Sequence, residues 1–265
     1  MREGNVRHYL VVAAIVLFLL LPLIGTLLYA LATNWQTTIL PESYSLSWFI
    51  KLFADPRFLP SLCRSCLVSG ITILVNLAVM IPAIFIVHVY LPRWDRLLQA
   101  VITIPFAIPG VILAVGLISI YSKGPVAIAG TIWILIGAYF VVILPFMYWA
   151  IKNSLNAINA VVLMEAAETM GAPAWKAFLM VILPNILKGV THAAMISFSI
   201  LLGEFVIANI LAGGSYETVQ VFLYGRMKES GHLSSAIVVV YYLLIFIVSA
   251  VLILLGGYLN KRPET

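Results

Sequence analysis

Long apolar runs separated by short polar segments dominate the sequence. A helix needs about 20 mostly apolar residues to cross a bilayer, and six runs reach that length, at 9–32, 67–91, 97–121, 125–151, 190–212 and 235–259. The second run is interrupted by His88, and the fifth contains Glu204. The pattern predicts an all-α polytopic membrane protein with six transmembrane helices, folded as a single transmembrane domain over residues 1–265.

Composition supports a membrane location. Hydrophobic residues make up 63% of the chain and charged residues only 9%, against about 25% charged in a typical soluble domain. The mean hydropathy is +1.10. In a soluble protein the net charge of +5 would suggest nucleic acid. Here the basic residues are scattered between apolar runs, so a lipid bilayer is expected around the chain and nucleic acid is not a partner.

The basic residues also predict the orientation, because cytoplasmic loops carry an excess of Lys and Arg. With the N-terminus inside, nine basic residues fall in cytoplasmic segments and six in external ones. The bias predicts that both termini are cytoplasmic. The cytoplasmic set is Arg2, Arg7, Arg93, Arg96, Lys152, Lys176, Lys188, Lys261 and Arg262, and the external set is Lys51, Arg57, Arg64, Lys123, Arg226 and Lys228.

The first apolar run shares some features with a secretory signal peptide. Arg2 and Arg7 precede it, and Ala30-Leu31-Ala32 offers small residues at the spacing of a cleavage site. Its apolar core is much longer than the roughly 7–15 residues of a signal peptide. We therefore expect an uncleaved transmembrane helix.

Prolines interrupt several apolar runs, most densely in the third, where Pro105, Pro109 and Gly110 lie close together. Proline removes a backbone donor and kinks a helix, so we expect a bend in this run. In a membrane, neighbouring helices can satisfy the freed backbone groups. Two explanations stay open: irregular packing, or a helix that flexes as a pathway opens.

The predicted cytoplasmic segment 152–188 differs from the short loops elsewhere, because it is too long for a simple connection and too apolar for a disordered linker. Asn159 is a candidate N-cap, and Gly171 can end a helix in the left-handed conformation. Pro173 suits a first helical turn. The segment is therefore predicted to form two short amphipathic helices, with Pro184 ending the second or bending it into the fifth span.

Two acidic residues, Glu165 and Glu168, are three positions apart and would project from one side of the first of these helices. Between them, Ala166 and Ala167 would let a partner backbone approach closely. The residues alone leave two roles open. The helix could insert into a groove of a partner protein, or it could be a membrane-surface helix that only covers the bundle.

The same segment carries a long, position-specific motif: Glu165-Ala166-Ala167, three residues, Gly171, nine residues, then Val181-Ile182-Leu183-Pro184. It resembles the EAA loop, E-A-A-x3-G-x9-I-x-L-P, of type I binding-protein-dependent ABC importer permeases. Val181 in place of Ile is the one departure. The six-run layout also fits that family, so the resemblance covers most of the chain.

This resemblance implies a permease subunit in the bacterial cytoplasmic (inner) membrane. The chain would pair with a second permease subunit, identical or homologous, and an extracytoplasmic substrate-binding protein would deliver the solute. Two ATPase subunits would bind ATP and Mg, so no cofactor is expected in this chain. The residues implied for ATPase coupling are Glu165, Ala166, Ala167, Glu168 and Gly171.

The sequence itself offers no catalytic site. It lacks a G-x-x-x-x-G-K-[ST] phosphate-binding loop, its four histidines are scattered, and no nucleophile–base arrangement stands out. Cys63 and Cys66 form a single C-x-x-C without a second half-site, so unpaired cysteines are expected rather than a metal or redox pair. The chain is predicted to be non-catalytic and to bind no metal.

The transported solute is indicated best by Glu204, because an acidic residue inside an apolar span is costly and is by default a candidate functional residue. It could contact a cation on the translocation path, or it could stabilise the start of a broken half-helix. The Leu-Leu-Gly-Glu-Phe run around it and the segment Tyr216-Glu217-Thr218 are similar to permeases of the spermidine/putrescine group. That similarity implies a polyamine, with 2-aminoethylphosphonate or ferric iron as alternatives.

Other polar residues could line the path, namely Asn209, Ser197 and His192, although such groups more often hydrogen-bond between helices. An ion-driven secondary transporter is a more distant alternative. Those proteins usually carry internal repeats with matched broken helices, and no clear repeat is visible here. A membrane assembly factor is a further rival, and the EAA motif argues against both.

Overall fold

The computed structural model describes residues 2–35, 38–124 and 127–259. Over these residues the chain forms twelve α-helices and no β-strand, apart from an isolated bridge between Ala32 and Tyr44. The prediction of an all-α fold is confirmed. The helices are α1 Arg2–Leu31, α2 Ser47–Ala54, α3 Phe58–Val89, α4 Asp95–Thr103, α5 Gly110–Tyr121, α6 Ile132–Ala157, α7 Ala160–Thr169, α8 Ala174–Ala177, α9 Leu183–Leu202, α10 Val206–Leu211, α11 Val219–Met227 and α12 Gly231–Leu259.

Most of the predicted spans are present as continuous helices. Five described segments are long and apolar enough to cross a membrane, and a sixth crossing arises if a bent pair of segments counts as one span. The predicted polytopic architecture is confirmed, with five continuous spans and a bent pair in the place of the predicted third span. The continuous segments are His8–Leu31, Phe58–Val89, Ile132–Ala157, Ala174–Leu202 and Gly231–Val251.

The third span is the broken one. α4 is followed by a 3-10 turn at Ile104–Ala107 and α5 begins at Gly110, so that the segments on either side differ in direction by 97°. Pro105 and Pro109 supply no backbone N–H, and Pro109 has an extended conformation, with φ −56° and ψ 136°. The helical hydrogen-bond pattern cannot continue through these residues, and the predicted bend is confirmed.

The fifth span departs from the prediction at both ends. Its helix runs for 29 residues from Ala174 to Leu202, through a π turn at Phe178–Ile182 just before Pro184. Of the two outcomes left open at Pro184, the helix does not end there but continues into the fifth span, because the wider π turn accommodates a residue that lacks an N–H. The expected end at residue 212 is wrong, because the helix stops at Leu202. The second loop helix and the fifth span are one continuous rod.

Two compact units make up the chain, one of Met1–Pro60 with Phe222–Ile245 and the other of Ser61–Val221 with Phe246–Thr265. In the first unit, His232 is buried and lies between the rings of Tyr29 and Trp48, at centroid distances of 4.1 Å and 5.4 Å. Its Nδ1 donates to the Tyr29 carbonyl at 2.8 Å. These contacts connect α1, α2 and α12.

The core of the second unit forms where α6 packs on α9. Fully buried residues recur every four positions along α6 and so define one face of that helix: Ile143, Met147, Ile151 and Leu155. On α9, a β-carbon added at Gly189 would lie 2.0 Å from Ser154 Oγ. The glycine therefore permits a close approach of the two backbones, as small residues do between membrane helices.

Candidate functional site

The first predicted loop helix is present as α7. Its inner side packs Met164 and Ala167 against the core of the second unit. Glu165, Ala166 and Glu168 are exposed. The helix therefore presents two carboxylates and Ala166 on an open surface. Ala167, which was expected to face a partner as well, packs against the core instead.

Backbone conformation sets both ends of α7. Asn159 precedes the helix with a left-handed φ of 49°, and its side chain makes no capping hydrogen bond. The position predicted for the N-cap is right and the hydrogen-bonding role is wrong. At the other end Gly171 has φ +80°, and the N–H groups of Gly171 and Ala172 donate to the carbonyls of Glu168 (2.9 Å) and Ala167 (3.0 Å).

This pair of bonds is a Schellman motif, which requires a left-handed residue at the position of Gly171. A β-carbon added there would meet nothing within 4 Å. The need for glycine is therefore conformational rather than steric, and the predicted role of Gly171 in ending the helix is confirmed.

One carboxylate of α7 also contacts α3. Tyr90, which directly follows α3, donates its hydroxyl to Glu168 Oε1 at 3.4 Å. Burial and the Glu168 charge raise the pKa of Tyr90. Sequence reasoning missed this contact, because nothing in the pattern links residues 78 positions apart.

A second feature that sequence reasoning missed is a polar cluster between α4 and α6. Asp95 accepts hydrogen bonds from Lys152 Nζ at 2.6 Å and from the Tyr148 hydroxyl at 2.7 Å. Nζ also donates to Tyr148 Oη at 3.1 Å. In the sequence Lys152 counted only as a topology signal, since a one-dimensional pattern does not show which acidic residue faces it. The cluster attaches the first half of the broken span to α6.

The structure places Glu204 after the end of α9, at a break in the chain rather than in the middle of a helix. α9 stops at Leu202, and α10 begins at Val206. The partly buried Glu204 carboxylate accepts the backbone N–H groups of Ile207 and Ala208, both at 3.0 Å. A carboxylate is well placed there, because the first N–H groups of a helix lack partners within it.

Of the two roles considered for Glu204, stabilising the start of a half-helix is the one whose geometry is present. Within the part of the chain that the structure describes, the carboxylate forms no ion pair. Each of its oxygens already accepts a backbone hydrogen bond. Contact with a solute stays a prediction.

The other proposed path residues do not gather around Glu204 as one cluster. His192 is exposed and its Nδ1 lies 2.7 Å from the Lys188 carbonyl, about 15 Å of helix rise before the end of α9. Ser197 is fully buried on the face of α9 that packs inward. Asn209 is exposed on α10. These positions leave their roles on a path as predictions.

The segment after α10 is attached to the first turns of α3. Arg64 donates to the Glu217 carbonyl at 3.1 Å, and the Tyr216 hydroxyl donates to the Arg64 carbonyl at 3.3 Å. The nearby Cys63 and Cys66 are free, as expected. The segment that resembles the spermidine/putrescine group is thus a fixed part of the second unit.

Comparison with known proteins identifies the family. A family model described as the binding-protein-dependent transport system inner membrane component matches residues 80–264, which include the EAA segment and Glu204. The chain belongs to this family. Together with the apolar helices, family membership places the chain in the inner membrane as a multi-pass protein. The orientation of its termini stays a prediction.

Curated relatives of this transport family are permease proteins. The "Putative 2-aminoethylphosphonate transport system permease protein PhnV" of Salmonella typhimurium is 26% identical over 79% of this chain and 78% of its own length. The spermidine/putrescine transport system permease protein PotC of Haemophilus influenzae is 26% identical over 71% of this chain and 72% of its own length. Both resemblances thus span most of each protein.

Solved structures of transporters show the same fold. A chain of a bacterial ABC transporter that imports the acidic polysaccharide alginate matches with a TM-score of 0.73 and 18% identity, over 100% of this chain and 97% of that one. A chain of the MetNI methionine ABC transporter, in an inward-facing conformation, matches with a TM-score of 0.64 and 18% identity, over 78% and 100%. At these identities the likeness concerns the fold alone.

Proposed function

We propose that this chain is the permease subunit that couples a solute path to ATP hydrolysis on a separate subunit of a type I ABC importer. The observation that carries the proposal is α7. It is a short helix with an exposed acidic face, ended by a Schellman motif at Gly171, and joined through α8 to a span of the bundle. Family membership and the permease relatives support the same assignment.

In this function α7 inserts into a groove of the ATPase. The side chains that would contact the ATPase are Glu165, Ala166 and Glu168, because they are exposed while Met164 and Ala167 face the bundle. Gly171 acts by ending the helix. A rigid helix rather than a flexible loop suits this task, because a movement of the ATPase can then pass to the spans.

The complete importer would contain partners beyond this chain. We expect a second permease subunit, two ATPase subunits that bind ATP and Mg, and an extracytoplasmic binding protein that delivers the solute. In this arrangement the present chain has no hydrolytic activity of its own. A purified preparation of the chain alone is therefore expected to show no ATP turnover.

A charge reversal on α7 tests the coupling role. In proteoliposomes containing the assembled importer, Glu165→Lys should abolish ATP-driven uptake and the stimulation of ATPase activity by the loaded binding protein. Glu42→Lys reverses a charge at an exposed site outside the loop and should leave both unchanged.

Normal uptake and ATPase stimulation in Glu165→Lys would contradict the assignment of α7. The same assay addresses the ion-driven alternative. Uptake that continues without ATP and stops when a protonophore removes the ion gradient would favour a secondary transporter.

For the solute, we propose a molecule that carries a protonated primary amine, with a polyamine such as spermidine or putrescine first. The PotC relative supports a polyamine, and the PhnV relative supports 2-aminoethylphosphonate as the second candidate; an amine is common to both. No relative named here favours ferric iron. The Glu204 carboxylate adds little support for direct cation binding, because its oxygens already accept backbone hydrogen bonds.

Ligand binding to the cognate binding protein tests the solute directly. Calorimetric titration with putrescine, spermidine, 2-aminoethylphosphonate and ferric citrate should show tight binding of one of the amines. Binding of ferric citrate alone would contradict the proposed amine.

A further inference from the structure

The breaks in the third and fifth spans meet inside the second unit. α5 starts at Gly110, directly after the 97° bend, and α10 starts just after the break that contains Glu204. A β-carbon added at Gly110 would lie 3.5 Å from Ile207 Cγ1 and 3.7 Å from Cδ1. The start of α5 therefore rests on the first turn of α10, and the two helices pack along each other.

α10 depends on its surroundings for its own position. It has six residues, and isolated helices shorter than about 12 residues are marginal in water. At its start the Glu204 carboxylate binds the N–H groups of Ile207 and Ala208. At its end the Leu211 carbonyl accepts the Gly130 N–H at 3.0 Å. Glu204 is thus the side chain that fixes the turn on which α5 rests.

The other half of the broken span is held separately. α4 is attached to α6 through the hydrogen bonds of Asp95 with Lys152 and Tyr148. α5 packs mainly on α10 and only to a small extent on α6. With α4 fixed on α6, the angle between α4 and α5 therefore depends chiefly on the position of α10.

A continuous helix leads from the EAA segment, which contains α7 and Gly171, to Glu204. α8, the π turn and α9 form a helix of 29 residues from Ala174 to Leu202. The helix begins three residues after Gly171 and ends two residues before Glu204. A displacement of its loop end can therefore reach Glu204 through hydrogen-bonded helix.

We propose that Glu204 is the positioning residue of the bend in the third span: by fixing Ile207 under Gly110, it transmits movement of the fifth-span helix to the angle between α4 and α5. This inference rests on the proposed permease function and deepens it. It assigns the buried charge to the coupling of two spans rather than to contact with the solute.

Distance measurements between spin labels test the proposal. Val101 on α4 and Val115 on α5 are exposed, so Val101→Cys and Val115→Cys report the bend in an assembled importer whose Cys63 and Cys66 are replaced by serine. In the wild-type background we expect a narrow distance distribution that shifts when ATP binds. Glu204→Ala and Ile207→Ala should each broaden the distribution and remove the shift, and the double variant should add nothing further.

Two further variants distinguish loss of the positioning role of Glu204 from nonspecific destabilisation of α10. Val206→Ala shortens an exposed side chain in the same turn and should keep the wild-type distribution. Glu204→Asp retains a helix-capping carboxylate and should restore part of the ATP-dependent shift. Recovery of assembled complex on size-exclusion chromatography shows that each variant folds.

Wild-type distances and shift in Glu204→Ala would overturn the proposal, and if its uptake of cationic solutes then fell, the carboxylate would instead contact the solute. Additive effects of Glu204→Ala and Ile207→Ala would also overturn it. The result is distinguishable from failure of the permease function. If the wild-type importer shows no ATP-driven uptake, the resting distribution without ATP still reports whether Glu204 and Ile207 fix the bend.

Discussion

α7 and α10 are both short helices that begin after a break in the chain and are followed by a left-handed glycine, Gly171 or Gly213, but different groups hold their starts. α7 is bounded by the left-handed residues Asn159 and Gly171, and its outer face is exposed. α10 is held at its start by a side chain, because the Glu204 carboxylate binds its first turn, whose residues Ile207 and Ala208 are buried. A helix open to solvent can leave terminal N–H groups to water, whereas a buried one requires a partner from the protein.

The comparison predicts that the largest loss of stability follows from a change at α10, the buried helix. Glu204→Ala leaves the Ile207 and Ala208 N–H groups without their acceptor, and a buried donor left unpaired costs about 1–3 kcal/mol. Thermal unfolding of the purified complex should show a clear fall in Tm, while Glu204→Gln, which keeps one carbonyl acceptor, should fall less. Equal stability of Glu204→Ala and wild type would remove the contrast between the helices.

The next largest loss of stability is expected at the close contact between α6 and α9, because α9 belongs to the long helix Ala174–Leu202 that lies between α7 and α10. Gly189→Ala places a methyl group against Ser154 Oγ, and overpacking of this kind costs about 1–3 kcal/mol. The double variant Gly189→Ala with Ser154→Gly should recover most of the lost stability in the same unfolding assay. A single variant as stable as wild type would show that the contact relaxes without cost.

A smaller effect is expected at the end of α7. A non-glycine residue in the left-handed conformation costs roughly 1–2 kcal/mol, so Gly171→Val should fray the helix and lower ATP-driven uptake more than it lowers Tm. Gly171→Asn is the matched control, because asparagine tolerates this conformation. If both variants transport equally well, the Schellman motif is not needed for coupling.

The smallest effect is expected for the contact between α3 and α7. Tyr90→Phe removes a 3.4 Å hydrogen bond to an exposed carboxylate, and a typical hydrogen bond contributes about 0.5–1.5 kcal/mol. Because this one is long and solvated, Tm should change little and uptake should fall only slightly. A loss as large as that of Gly171→Val would show that the position of α7 depends on α3.

The EAA segment and the bend in the third span also differ in how much of each could be predicted from the sequence. Gly171 was found from sequence because the signal is local: a glycine after an amphipathic run ends a helix wherever that helix lies. Pro105 and Pro109 predicted the bend for the same reason, although its 97° size depends on the contacts of α4 and α5. At Pro184 the sequence left open whether the helix ends or continues, and only the structure shows that it continues, because a π turn precedes the proline.

The sequence by itself determined that the chain is built of apolar spans, although not where the fifth begins and ends, and it determined the acidic helix with its glycine end and the family. Each of these depends on composition or on residues close together in the chain. The tertiary structure decided the partners of Asp95 and Glu168, the close approach at Gly189, and the placement of Ile207 under Gly110. These contacts join residues far apart in sequence, and hydrophobic periodicity carries no information about which helices become neighbours. For Glu204 the sequence showed only that an acidic residue lies in an apolar span. The fold showed that its carboxylate binds the N–H groups of Ile207 and Ala208.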